Sequence, residues 1–166
     1  MLPKLVSESG RKFTCFPAAI LVFLINGDEE VLLFSKRPRQ WSVITGAIED
    51  NETILKSAER ELHEETGGGI EASPIGVVHT HSFHHDSLVR NLISIHYVMH
   101  YKGGKVVPSD DEKGSIFEWW SLDNVKNQNA EIIIPKQQPW VFERAIFLFR
   151  NYNGVEVPLE YFKSSE

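Results

Sequence analysis

Between Gly46 and Gly68 the chain reads GAIEDNETILKSAERELHEETGG, and four carboxylates (Glu59, Glu61, Glu64 and Glu65) fall within seven residues, with Glu52 close by. Crowded carboxylates do one kind of chemistry well: they hold hard divalent cations, which in turn hold phosphate oxygens and water. Whether these acids can act together depends on the element that carries them. On a helix at 100° per residue, Ile54, Leu55, Ala58 and Leu62 form an apolar stripe. Lys56, Glu59 and His63 point the other way, to water. Glu61 and Glu65 lie one turn apart at the edge of the stripe, with Ser57 and Glu64 beside them. Like charges at that spacing repel, more strongly near a low-dielectric surface. A divalent cation such as Mg²⁺ is the simplest compensation. A solvated acidic helix face is the plainer alternative, and helical geometry alone does not choose between the two.

The spacing does choose. G-x5-E-x7-R-E-L-x-E-E-x-G, carried here by Gly46, Glu52, Arg60, Glu61, Leu62, Glu64, Glu65 and Gly67, is the signature of the Nudix hydrolases, and on these residues the chain resembles that family. A ninth position, normally aliphatic, departs: Gly68 stands there, and Ile70 is the first apolar residue beyond it. The departure touches packing past the helix, not the acids. The resemblance implies an α+β fold, a Nudix-type α/β/α sandwich with a mixed sheet, a central acidic helix and a C-terminal helix. It implies Mg²⁺-dependent (or Mn²⁺-dependent) hydrolysis of a phosphoanhydride bond in a nucleoside-diphosphate-linked substrate. Glu61, Glu64 and Glu65 would be the metal set, joined by the carbonyl of Thr45. Glu61 would also orient or deprotonate the attacking water. Arg60 and Glu52 would form an ion pair that orients the ligands from behind.

Ile44-Thr45-Gly46 is similar to the V-T-G entry of the bacterial dihydroneopterin triphosphate and dATP pyrophosphohydrolase branch. The favoured substrate is therefore a (d)NTP or dihydroneopterin triphosphate, giving a monophosphate and pyrophosphate. A dinucleoside polyphosphate, a nucleotide sugar or a capped RNA end is the alternative within the same chemistry. A ligand-sensing module without turnover is the alternative outside it.

The elements that must position these residues follow from pattern. Residues Met1 to Lys12 read as a loose lead-in. Ala18 to Ile25 is an apolar run of strand length, Asn26-Gly27-Asp28 is a turn signal, and Val31 to Ser35 is the partner strand. Lys36-Arg37-Pro38-Arg39 is a basic loop that could hold substrate oxygens, Arg37 and Arg39 ahead of Lys36. Trp41 to Ile44 reads as a short strand entering Gly46, where the missing Cβ lets backbone approach an ion or phosphate. The helix is expected to begin near Glu52 or Thr53, capped by Asn51 or Asp50 with Glu52 in its first turn, and to end at Thr66 with Gly67 as left-handed cap. The triple glycine predicts a mobile exit.

Ile75 to Phe83 and Leu92 to Tyr101 are expected as strands. Phe83, His85 and Arg90 between and beside them could line a substrate pocket. His79, His81, His84 and His85 do not read as a zinc site, since no cysteine accompanies them and alternate strand residues close a tetrahedron poorly. Ser109 to Lys113 is an acidic loop ahead of the strand Ile116 to Trp120. Members of the family often draw a further carboxylate, for metal or base, from this loop, which points to Glu112, with Asp111 and Glu118 behind it. Of Trp119 and Trp120, one should be core and the other free to stack on a base or pterin ring. Trp140 to Tyr152 reads as a helix with Trp140, Ala145, Leu148 and Phe149 inward, followed by a tail from Asn153.

Composition bounds the rest. The 166 residues suit one domain, and the net charge of −6 argues against general nucleic-acid binding. The single Cys15 excludes an internal disulfide and reads as a small core residue. No apolar run reaches the length of a membrane helix and no secretory signal is apparent. The expectation is a soluble cytoplasmic protein whose partner is a phosphorylated small molecule, with a homodimer left open.

Overall fold

The structure, a computed structural model, describes residues 4–37, 40–108, 113–127, 131–134 and 139–154. Its strands are β1 (Lys4–Val6), β2 (Lys12–Thr14), β3 (Ala18–Ile25), β4 (Val31–Arg37), β5 (Gln40–Ser42), β6 (Ile44–Ala47), β7 (Ile70–Phe83), β8 (Leu92–Gly104), β9 (Ile116–Trp120) and β10 (Glu131–Ile134). Its helices are α1 (Ile54–Thr66), α2 (Leu122–Asn127) and α3 (Pro139–Asn151).

β3 is apolar throughout because both of its faces are covered. Ile20, Val22 and Leu24 turn toward Leu55, Ala58 and Leu62 of α1. Leu21, Phe23 and Ile25 turn toward Val141, Phe142, Ala145 and Ile146 of α3. β4 repeats the division, with Leu32 and Phe34 on the α1 side and Val31 and Leu33 on the α3 side. The result is a sheet between helices, the expected α+β sandwich.

β3 and β4 are joined by the predicted turn, in which Asn26 Oδ1 accepts from the amides of Asp28 and Glu30 at 3.0 and 2.9 Å. They pair at Ile25↔Val31 and then diverge. β6 takes the vacated edge of β3, from Ala19↔Ala47 to Val22↔Ile44, and β5 takes that of β4. Two half-sheets follow, β6-β3-β8-β7 and β10-β5-β4-β9, with β3–β8 and β5–β10 parallel and the remaining pairs antiparallel. The stretch read as one strand from Trp41 to Ile44 is thus two, because the chain passes from one half-sheet to the other at Val43. The register gathers Ala18, Ala47, Arg37, Ile116 and Leu92 at one end of the sheet, away from the Asn26 turn.

Several expectations are corrected. The lead-in is not loose: β1 and β2 form a hairpin with its own two-stranded sheet. Cys15 is half-buried, outside the core. β7 begins at Ile70 and tolerates Pro74 because it is an edge strand whose register slips there. α2 and β10 were not expected. In α3 the fully buried stripe is Val141, Phe142, Ala145 and Ile146, with Leu148 and Phe149 packed against it as expected, whereas Trp140 is 40 % exposed. Ile54, the first residue of α1, is likewise outside the core at 39 % exposure.

Candidate active site

α1 starts where a side chain can replace a missing backbone partner. Thr53 is the N-cap, its hydroxyl accepting from the Lys56 amide at 3.2 Å. Neither Asn51 nor Asp50 has that role. Asn51 instead sits at φ 62° in the turn before the helix, and Glu52 lies outside the first helical turn. Glu52 closes the turn itself, its carboxylate accepting from the Glu49 amide at 3.1 Å. The helix ends as expected on left-handed Gly67, φ 71°. The glycine exit is tied down: Val107 N donates to Thr66 O and Lys105 N to Gly69 O, both at 3.1 Å. A Cβ on Gly67 would stand 2.5 Å from Val107 O, so glycine is what allows this approach.

Arg60 organises the acids. Its Nε and one terminal nitrogen grip Glu52 at 2.7 and 3.0 Å, and that second nitrogen also donates to Ala47 O at 2.8 Å. The other terminal nitrogen reaches Glu61 Oε1 at 2.7 Å and Glu64 Oε2 at 3.0 Å. All five N–H groups of a guanidinium are used. The fork ties β6, the turn and α1 together, and it spans the acids from Glu52 to Glu64.

Glu61 is buried and lies directly on Gly46: a Cβ there would be 1.8 Å from Glu61 Oε1 and 2.2 Å from Oε2. Any side chain at position 46 would occupy the space of the carboxylate. Glu65, one turn on, is also buried, while Glu64 is exposed. Desolvation raises the pKa of Glu61; Arg60 opposes this, and the charges of Glu64 and Glu52 raise it further. The Arg60 hydrogen bonds hold Glu52 down at about 2. Around Glu61 one guanidinium therefore does not balance the carboxylates.

The donor set suits a hard cation in chemistry: carboxylates on one rigid helix, two of them buried, with that of Glu61 laid against the Gly46 backbone. Among the described residues no three His, Cys, Asp or Glu side chains converge as they stand to hold a metal. The reason is local, since Arg60 draws Glu61 and Glu64 toward itself. Releasing Glu64 forfeits only an exposed i,i+4 ion pair, worth under about 1 kcal/mol.

The other expected residues divide. Thr45 precedes Gly46 in β6, opposite Leu21 of β3. Arg37 is exposed at the end of β4, at the same sheet end as Gly46, and Arg90 is exposed in the loop before β8 at that end too. Arg39, Asp111 and Glu112 lie outside the described residues. Phe83 is not brought to the acids. His79, His81 and Phe83 alternate along β7, and their rings form a ladder with His81–Phe83 centroids 5.5 Å apart. His79 and His81 meet His96 at 5.3 and 5.4 Å, and His96 stacks on Phe23 of the α3-side core. Phe83 and its neighbour His85 therefore belong to the face opposite α1. Glu118 is on that opposite face as well, accepting from Trp120 Nε1 at 3.1 Å. Trp120 is the core tryptophan, packed on Trp41. Trp119 is half-buried on the α1 face against Tyr101.

Sequence reasoning missed a pair on the α1 face. Phe34 and Phe117 stack at 5.6 Å, and Lys36 Nζ lies 5.6 Å from the Phe34 ring centre. Both rings pack in the cluster that contains Leu62. The alternation of Phe34 with Lys36 and of Phe117 with Trp119 was the available signal; it says that they share a face, not which face.

Comparison with known proteins bears on most of the chain. A family model described as NUDIX domain matches residues 16–141. No curated protein sequence matches. Among solved structures, the chain is similar to an ADP-ribose pyrophosphatase from Streptococcus suis 89-1591, with TM-score 0.64 and 16% identity over 82% of this chain and 94% of that one. It is similar to a UDP-X diphosphatase, with TM-score 0.64 and 13% identity over 89% and 69%. It is also similar to a MutT protein from Methanosarcina mazei Go1, with TM-score 0.61 and 21% identity over 83% and 96%. At these identities the likeness is one of fold.

Proposed function

The chain belongs to the Nudix family, and from that premise we propose that it is a Mg²⁺-dependent pyrophosphohydrolase of nucleoside-diphosphate-linked substrates. The favoured substrate is a (d)NTP or dihydroneopterin triphosphate, cleaved to a monophosphate and pyrophosphate. The observation that carries the reading is the seat of Glu61 on Gly46, clamped by Arg60 among carboxylates that the guanidinium alone does not neutralise.

In this reading Glu61, Glu64 and Glu65, with the Thr45 carbonyl and Glu112, would hold the ion. Bound there, Mg²⁺ (or Mn²⁺) neutralises phosphate oxygens and lowers the pKa of water. The protein's own groups do the rest. Arg60 and Glu52 fix the α1 acids against β6, so that Glu61 points at the reacting end of the substrate. Glu61 takes the proton from the attacking water, with Glu112 as the alternative base. Arg37, Arg39 and Arg90 hold outer phosphate oxygens. Phe117, rather than Trp119 at the Asn26-turn end of the sheet, offers half-buried aromatic surface on the α1 face for a base or pterin ring.

The test is a panel of nucleotide and pterin triphosphates, dinucleoside polyphosphates and nucleotide sugars, with and without chelator, in ¹⁸O water. The expected result is chelator-sensitive release of pyrophosphate, with the isotope in one phosphoryl product. Products of another linkage would replace the triphosphate assignment. Inactivity across the panel with Mg²⁺ present would favour a sensing module instead.

A further inference from the structure

Along α1, Ser57, Glu61 and Glu65 follow one another at successive turns, and all three are buried, Ser57 completely at 0 % exposure. Residues four apart on a helix are neighbours, and long side chains lean back over the preceding turn. Glu61 therefore reaches toward Ser57.

A hydroxyl inside a helix ordinarily settles its hydrogen bond on the carbonyl four residues back. Thr66, the other fully buried hydroxyl of α1, does so, donating to Leu62 O at 2.5 Å. Ser57 does not. Among the described residues its Oγ meets no hydrogen-bond partner, and the Thr53 carbonyl behind it accepts from the Ser57 amide at 3.0 Å. The hydroxyl is near enough to Glu52 to add slightly to what Arg60 chiefly does in keeping that carboxyl at about 2, but no hydrogen bond joins the two. A buried polar group left unpaired costs stability, and a partner that arrives later recovers that cost.

Glu61 is the neighbouring acceptor that can change partners. Arg60 holds its Oε1 at 2.7 Å, and Gly46 backs the carboxylate without a side chain. In the metal-dependent reading a cation competes with Arg60 for this carboxylate. We propose that Ser57 is a positioning residue for the loaded state, its hydroxyl donating to Glu61 once that carboxylate has turned from Arg60 to the ion. The inference rests on the metal-dependent reading. It gives Ser57 the work of groups that stand behind metal ligands and fix their orientation.

The test is Ser57→Ala in the full chain, read by Mn²⁺ binding without substrate and by melting with and without the ion. The metal-free variant should melt no lower than wild type, because an unpaired hydroxyl has been removed. Its dissociation constant for Mn²⁺ should rise about tenfold. A serine that merely packs would lower both melts alike, which overturns the inference. In a Glu61→Ala background, Ser57→Ala should have no further effect on Mn²⁺ affinity. The same tenfold loss in that background overturns the pairing and gives the hydroxyl to Glu52. Unchanged affinity in Ser57→Ala, beside a wild type that binds the ion, overturns this inference alone. A wild type that binds no Mn²⁺ overturns the metal-dependent reading with it.

Discussion

On the α1 side of the sheet Arg60 gives every N–H it has to Glu52, Glu61, Glu64 and a carbonyl. On the α3 side His79, His81 and His96 meet one another, and the charges that bear on them come from each other and from Arg144. Both clusters are partly buried, yet burial has opposite consequences. The acids are kept in range of a cation and remain short of positive charge, which is a demand for a further one. Among the described residues no counter-charge meets these imidazoles, and His96, fully buried with Nε2 against Ser94 Oγ at 3.0 Å, is driven down to about 4 by desolvation and its two neighbours. It is neutral at physiological pH and serves packing. A cluster of titratable groups therefore announces chemistry only when the surroundings keep it charged.

That contrast can be broken from either side. Glu61→Gln and Glu65→Gln should each lower kcat at least about a hundredfold, roughly 2.7 kcal/mol of transition-state stabilisation, with circular dichroism unchanged. Near-normal turnover in both would leave the α1 acids no more special than the imidazoles. On the other face the effect should appear in stability alone. Unfolded His96 takes up a proton near 6.5 while the folded state resists until about 4. Between those values the unfolded chain binds more protons, so stability falls as pH falls, by up to about 3 kcal/mol. Chemical denaturation at stepped pH should show that slope in wild type and a flatter one in His96→Phe. Gly46→Ala places a methyl where Glu61 now lies. It should reduce kcat about thirtyfold, about 2 kcal/mol, with a smaller loss of Tm, because the carboxylate can swing aside. The smallest effect is expected at the helix start: Thr53→Ala should cost about 1 kcal/mol, and Asn51→Ala less than half of that in the same melts.

Much of this was legible in one dimension. β3 and β9 fall on the residues their apolar runs predicted, and α1 ends at Thr66 with its glycine cap, because those signals are local: side-chain periodicity, and a backbone conformation that glycine reaches easily. The start of α1 was misread because Asn51, Asp50 and Thr53 are all acceptable caps, and the choice went to the one whose use left Glu52 free for Arg60. The hairpin at 4–14 was missed because its pairing has no core to impose a pattern.

The amino-acid order by itself determined the acid helix, its spacing and hence the Nudix membership, since those reside in contacts within one turn of helix and in a motif that needs no partner. Only the tertiary structure decided which face each strand residue took. A period of two separates Phe83 from Ser82 and Glu118 from Phe117, but the side that α1 covers depends on how β3, β6 and β8 come together across long stretches of chain. That is why Phe83 and Glu118 were placed with the acids and belong to the opposite face, and why Phe34 and Phe117 came to the α1 face unannounced.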